Sequence, residues 1–264
     1  MKTALITGVA GGMGFAAAKR LIREGWRVAG LDVREPEDRE GILFFRTDLT
    51  DPRSVEASLQ GVKEAGLTFD AILHMAGLYD LNSLLEMPEE DFLRIWNVNL
   101  FGVYRVNKAF FPLLRKNARI LITASELAPL HPLPFTGIYG ITKTALDRYA
   151  ESLRMELQLV GHPVIVLRPG AVDTGLLRVS TDKLDRFVKE TKLYPLHAER
   201  FRRIVDRVET RRVQPERIAA LAMKALRAEK PRFTYAINRN PGLLLLNALP
   251  VRWQCGIIRR ILTP

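Results

Sequence analysis

A chain of 264 residues that is 47% hydrophobic carries enough apolar material for one large core, and its 26% charged residues exclude neither folding nor solubility, so disorder is not expected. The formal net charge of +11 leaves open an acidic partner, a membrane surface or anionic ligands, and is not by itself a nucleic-acid signature. One cysteine, Cys255, excludes an internal disulfide framework and fits a reducing, cytoplasmic setting; packing is its expected role. No apolar run approaches the length that crosses a bilayer, and the opening MKTALITG reads as a strand rather than a secretory leader.

In chain order, strand-length apolar runs alternate with segments of helical period. TALITG is a first strand, followed by a helix through AAAKRLIREG. WRVAGLDV and ILFFRTD are the second and third strands, and PRSVEASLQGVKEAG is the next helix. FDAILHMAG is a fourth strand, and a long helix is predicted from about Glu89 to Leu114. ARILITAS is a fifth strand, IYGITKTALDRYAESLRMELQLV a helix and HPVIVLRPG a sixth strand. Near-continuous apolar strands separated by helices predict an α/β fold whose parallel sheet, of about seven strands, is covered on both faces. The right-handed crossover rule makes it doubly wound. No linker or repeat divides the chain, so one domain over residues 1–264 is expected.

After Thr174 the character changes. Residues 178–232 are rich in Arg and Lys and lack strong strands. TDKLDRFVKE and HAERFRRIVDRVETRR read as exposed amphipathic helices, and QPERIAALAMKALRAEK as a better-packed one with Pro215 in its first turn. RFTYAI is the candidate last strand.

TGVAGGMG, residues 7–14, lies between the first strand and the first helix. Gly8, Gly11, Gly12 and Gly14, with Met13 among them, suit a turn where the backbone must approach a pyrophosphate whose charge sits on the helix N-terminus. Asp32 ends the second strand, where a carboxylate can accept from both ribose hydroxyls and repels a 2′-phosphate, so NAD is favoured. Arg34 could reach such a phosphate, which keeps NADP open. Asp48, followed by Leu49, is placed either to meet the adenine edge or to cap the helix near Pro52.

Ser125 closes LITAS, and ligands in such sheets bind beyond the carboxyl ends of the strands. A loop of three prolines and a glycine leads from it to Tyr139, and Lys143 follows one helical turn later. Tyr104 and Lys108 repeat that spacing, but inside a long helix with no strand-end serine, and are read as surface residues. The chemistry that fits is proton transfer coupled to hydride transfer. A phenol needs a downward shift of roughly three units, about 4 kcal/mol, to work near neutrality. An ammonium at about 4 Å supplies that much at an intermediate dielectric. Ser125 would hold the substrate oxygen for Tyr139. Asn99 is an unfavourable mid-helix residue whose reason could be a water linking Lys143 to solvent.

These residues, in this order, resemble the short-chain dehydrogenase/reductase family in its single-domain branch. TGVAGGMG is similar to the family's TGxxxGxG loop, Asp32 to its NAD-selecting acid and Asp48 to its adenine contact. Asn99, Ser125, Tyr139 and Lys143 match its catalytic tetrad. RPGAVDT resembles its PG motif, so that Pro169, Gly170, Val172 and Thr174 would meet the nicotinamide side, as Ala76 and Gly77 would meet the cofactor ribose. Two departures stand out. HMAG replaces the usual NNAG, so His74 and Met75 stand where amides bind strands together, and the Ser-to-Tyr gap is one residue longer than the family's commonest spacing, which leaves Thr123 as a second candidate for Ser125. The resemblance implies a Rossmann fold, metal-free interconversion of a secondary alcohol and a ketone, and a homodimer or homotetramer packed through two long helices.

It also implies a core over residues 1–175 and a substrate lid over 176–212. The lid's cations could attract an anionic substrate, or be solvated faces. The tail, 241–264, is apolar with interspersed Arg and could pack on the lid, form a subunit contact or touch a membrane surface. Such a tail suggests a bulky apolar substrate. Rival readings are a catalytically silent nucleotide-sensing regulator on the same fold, and a nucleic-acid binder supported by charge alone; no nucleic-acid partner is expected.

Overall fold

The computed structural model describes residues 1–263, apart from the side chains of residues 176–181 and 209. Seven parallel strands form one sheet in the order β3-β2-β1-β4-β5-β6-β7. They are β1 (Thr3–Thr7), β2 (Arg27–Asp32), β3 (Ile42–Arg46), β4 (Phe69–His74), β5 (Leu114–Thr123), β6 (Val164–Pro169) and β7 (Thr234–Ile237). The central strands are mainly apolar because helices cover both faces, and the two-residue period divides their side chains between two cores. Ala4 and Ile6 of β1 pack with α1 (Gly12–Arg23) and α8 (Pro215–Arg227), through Ala17, Leu21, Ala222 and Met223. Leu5 points the other way, into a core with α2 (Pro52–Glu64) and α4 (Gly102–Phe110). On that face α5 (Gly137–Leu157) covers Ile120, Ile122, Val164 and Val166 with Leu146 and Ala150.

The strand order reverses beside β1, which pairs with β2 on one side and β4 on the other. The connections leave these two neighbours in opposite directions, and the crevice between them is where such sheets bind ligands.

Three local expectations are corrected. β5 stops at Thr123, so Ser125 stands two residues beyond the strand rather than ending it. The long helix is α3 (Glu89–Trp96), a π-helical segment at Asn97–Phe101, α4, and a short 3-10 turn at Phe111–Leu113 containing Pro112. Finally, α6 (Gly175–Glu190) and α7 (Pro195–Glu209) are not merely exposed: Leu184, Phe187, Ala198 and Phe201 form a core with Leu81 and Leu262. Residues 176–181 of the expected lid lie outside the described side chains.

The tail forms α9 (Pro241–Asn247) and α10 (Val251–Leu262). Ile258 and Leu262 pack into the lid core, while Trp253, Ile257 and Ile261 stay exposed. Cys255 is exposed, contrary to a packing role. Among the described residues no helix is long and apolar enough to cross a membrane.

Candidate active site

The turn from β1 to α1 is closed by Gly8 N donating to Leu31 O (2.8 Å) and Gly11 N to Gly8 O (3.0 Å). Gly8 has φ +71°, and a Cβ there would lie 2.6 Å from Ala76 N; one on Gly14 would lie 2.1 Å from Gly8 O. Neither position admits a side chain. No side chain caps α1 at Gly11, so the amides at this positive helix end are unspent on the protein and suit a pyrophosphate. Gly12 faces Thr174, whose Cγ2 would be 2.9 Å from an added Cβ, which brings the loop against the segment after β6. Met13 lines the cavity beside it.

Asp32 is fixed over this loop. Its Oδ2 accepts from Ala10 N (3.0 Å) and its Oδ1 from Arg34 N (3.1 Å). Asp48 accepts from Thr50 N (2.8 Å) and Thr50 Oγ1 (2.7 Å), whereas the cap of α2 is Asp51, which accepts from Arg53 N (2.9 Å). Capping is therefore not what Asp48 is for. Leu49 is buried in the core beside α4, and its carbonyl accepts from Arg105 Nη1 (2.9 Å).

The HMAG departure is compensated by other chemistry. His74 Nε2 bonds Asn107 Oδ1 (2.8 Å), and Asn107 Nδ2 donates to Tyr149 OH (3.1 Å), so an imidazole links β4 through α4 to α5. Burial holds His74 down at about 4. Thr123 Oγ1 donates to Met75 Sδ (3.1 Å), linking β5 to β4. Thr123 and Ser125 both line the cavity, and this contact occupies the Thr123 hydroxyl.

Asn99 is fully buried. Its Oδ1 accepts from Leu78 N (2.7 Å), and its Nδ2 donates to Leu78 O (3.0 Å) and Thr142 Oγ1 (3.0 Å). The π-helical turn explains a mid-helix Asn: widened turns re-aim a side chain at functional sites. A Cβ on Gly77 would sit 3.5 Å from both Asn99 Oδ1 and Lys143 Nζ, an ordinary contact distance that places this backbone directly beside both groups.

Ser125, Tyr139 and Lys143 share one cavity wall. Tyr139 hydrogen-bonds the Ser125 side chain, and Tyr79 packs edge-on against its ring at 4.5 Å between centroids. Lys143 Nζ lies 5.8 Å from the Tyr139 ring centroid and donates to Thr123 O (2.9 Å). The expected lowering of the phenol by Lys143 is not the balance found. Burial pushes the Tyr139 phenol up, the Ser125 hydrogen bond pulls it down, and the Glu126 charge raises it again. Burial also brings Lys143 down to about 8.

Pro169, Gly170, Val172 and Thr174 line the same cavity, and Pro169 O accepts from Glu126 N (2.9 Å). Gly170 is pressed against the chain after β7, where a Cβ would be 2.0 Å from Asn238 O and 2.9 Å from Glu126 Oε1. Glu126 was not singled out from the sequence. It follows Ser125 directly, lines the cavity, and its Oε2 accepts from Asn240 N (2.6 Å). The rest of the lining is mainly apolar, with Ile204, Val205 and Val208 from α7 and Leu243 from α9. Among the described residues Lys143 is its one cation. Lid cations instead meet protein carboxylates: Lys183 with Asp80 (2.5 Å) and Arg202 with Asp185 (3.0 Å).

A family profile described as short chain dehydrogenase matches residues 2–185. The chain is 28% identical over 191 residues to L-2,3-butanediol dehydrogenase of Corynebacterium glutamicum, covering 66% of this chain and 73% of the relative. It is 25% identical over 250 residues to 3-ketodihydrosphingosine reductase of Bacteroides thetaiotaomicron, covering 94% of this chain and 91% of the relative. Among solved structures, a short chain dehydrogenase/reductase from Burkholderia phymatum in complex with NAD superimposes with a TM-score of 0.76 at 24% identity, over 95% of this chain and 93% of that one. The sheet order, the side-chain-free turn into α1 and the profile match lead to one assignment: this chain belongs to the short-chain dehydrogenase family of NAD(P)-binding oxidoreductases.

Proposed function

We propose that the protein interconverts a secondary alcohol and a ketone, with NAD as the preferred cofactor and a bulky, largely apolar substrate. The observation that carries this is the convergence of Ser125, Tyr139 and Lys143 on one wall of an apolar cavity at the carboxyl ends of the strands. The bound nicotinamide supplies or accepts the hydride. Ser125 holds the substrate oxygen, and Tyr139 gives or takes its proton. Burial raises the phenol; a protonated Lys143 one turn away would oppose that on general electrostatic grounds. Asn99 fixes the backbone at Leu78, the residue after Gly77, and so holds the strand-end segment beside Lys143. Gly8, Gly11, Gly12, Met13 and Gly14 would cradle the pyrophosphate, Asp32 the ribose and Asp48 with Leu49 the adenine side. Ala76, Gly77, Pro169, Gly170, Val172 and Thr174 would border the nicotinamide half.

The apolar lining from α7 and α9 supports a large substrate. The relative named for 3-ketodihydrosphingosine suits that lining, and its match takes in the whole lid. Exposed Phe101, Tyr104, Phe111, Met155 and Leu159 on the two long helices support a homodimer or homotetramer, which light scattering would show. The exposed ridge of α10, with Arg252, Arg259 and Arg260 around it, is where a membrane surface would be met, and vesicle co-sedimentation tests that.

The deciding experiment is a screen of secondary alcohols and ketones with NAD(H) and NADP(H), read by absorbance of the reduced cofactor. Turnover of a long-chain substrate with NAD is expected. Cofactor binding without turnover of any of them would leave a nucleotide-sensing protein instead.

A further inference from the structure

Glu126 is the only carboxylate on the described lining of the cavity. It is nearly buried, and burial pushes its carboxyl above the usual range. One of its oxygens is structural, since Oε2 accepts from Asn240 N and ties the start of α9 to the active site. That tie needs one acceptor and no charge. Among the described residues Oε1 has no hydrogen-bond donor, and it lies at the cavity wall against Gly170. Arg239 acts on Glu126 only as the weakest of its influences and is itself exposed, outside the cavity lining. The one cation that lines the cavity, Lys143, is held at Thr123 O. A carboxylate kept in an apolar wall is costly unless a cation meets it.

We infer that Glu126 is a specificity-determining residue that binds a protonated amine on the substrate. The substrate class is then an amino alcohol or amino ketone with an apolar chain. Consecutive residues are about 3.8 Å apart at Cα, so an ammonium on Glu126 sits within a few bonds of an oxygen held by Ser125. The apolar chain would run the other way, along Ile204, Val205 and Leu243.

The same contact acts on the reaction. The Glu126 charge opposes ionisation of Tyr139. An ammonium lying on Glu126 cancels that field, so the amine would ready the proton-transferring phenol as well as anchor the substrate. The discrimination therefore falls on kcat as well as on KM.

This inference rests on the oxidoreductase reading, and its test separates the two. Oxidation of 1-aminodecan-2-ol and of decane-1,2-diol by NAD is followed in the wild type and in Glu126→Gln, which keeps an acceptor for Asn240 N. The wild type is expected to favour the amino alcohol by at least about tenfold in kcat/KM, the scale of one hydrogen bond to a charged group. Glu126→Gln should lose about 10- to 100-fold on the amino alcohol and should quicken the diol, which no longer meets the charge that opposes Tyr139. Binding of decylamine and decanol, measured by calorimetry, gives a readout independent of turnover. If neither alcohol is oxidised but decylamine binding depends on Glu126, the amine site stands and the oxidoreductase reading falls. If both alcohols react and Glu126→Gln slows them equally, the oxidoreductase reading stands and the amine site falls. Should the variant not fold, the wild type alone decides: equal kcat/KM for the two alcohols, with equal binding of decylamine and decanol, overturns the inference.

Discussion

The chain up to residue 175 and the chain beyond it are held by different means. In the first part, backbone ladders fix the strand ends, and the candidate catalytic groups hang from those ends: Lys143 reaches Thr123 O at the end of β5, and Ala76 N reaches Thr7 Oγ1 at the end of β1. In the second part, apart from β7, α8 and the backbone bridge of Val213 to Val172, side chains make most of the attachments. Lys183 pairs with Asp80, Glu86 accepts from Thr191 Oγ1 (2.6 Å) and Lys192 N (2.7 Å), and Phe135 inserts among Phe187, Tyr194 and Phe201. A sequence change in the first part therefore strikes chemistry or the whole fold. In the second it reshapes a cavity wall while the sheet persists.

The sharpest way to break this contrast is Tyr139→Phe. It should lower kcat by about 10²- to 10⁴-fold, the usual worth of a positioned acid/base group, while NADH affinity by fluorescence titration stays near that of the wild type. Wild-type turnover in that variant would remove Tyr139 from the reaction. Next in size is the acid response of the first part. His74 is neutral when folded, with its pKa at about 4 against 6.5 for the free side chain. Between those values the unfolded chain binds the extra proton. The stabilisation is thus complete above pH 6.5 and is lost as the pH falls through 4, by up to about 3 kcal/mol. Urea titrations across that range should show His74→Asn losing less stability on acidification than the wild type.

The second part is probed by Lys183→Met, which leaves buried Asp80 without its cation. A local loss of about 2 kcal/mol is expected, smaller than for a fully buried pair because Lys183 is partly exposed. Hydrogen exchange should rise in α6 and α7 and stay unchanged in β1 to β6. A uniform rise would erase the proposed division. The smallest effect belongs to Asp32→Ala, which should raise the NADP-to-NAD preference by about tenfold in kcat/KM, the loss of about one charge-assisted contact. No change would leave Asp32 with only its bonds to Ala10 N and Arg34 N.

The same division governs what could be read from the residues alone. β1, β2 and β4 are legible because strands covered on both faces have no polar alternation to hide them, and the glycine turn because packing forbids Cβ at Gly8 and Gly14. The end of β5 is not, since Ala124 and Ser125 continue a buried run past Thr123 and the backbone still bonds β6 there, Glu126 N donating to Pro169 O (2.9 Å). The many Arg and Lys of α6 and α7 conceal an apolar face that closes on Leu81 and Leu262, far away in the chain. Glu126 escapes for a related reason: its partner Asn240 is 114 residues on, and no spacing rule connects them. The π-helical turn around Asn99 leaves no periodic trace in NVNLF.

That turn has a bearing on which changes the family can accumulate here. It holds more residues per turn than the helices on either side, and everything downstream inherits its phase. Deleting one residue from it would rotate α4 by about 100°. Val106 and Phe110 would then swing out of the interior, and Asn107 would leave His74 and Tyr149. Residues 97–101 can therefore exchange letters far more freely than they can change in number, and a natural variant one residue shorter at this point would need a second, compensating insertion before Phe110.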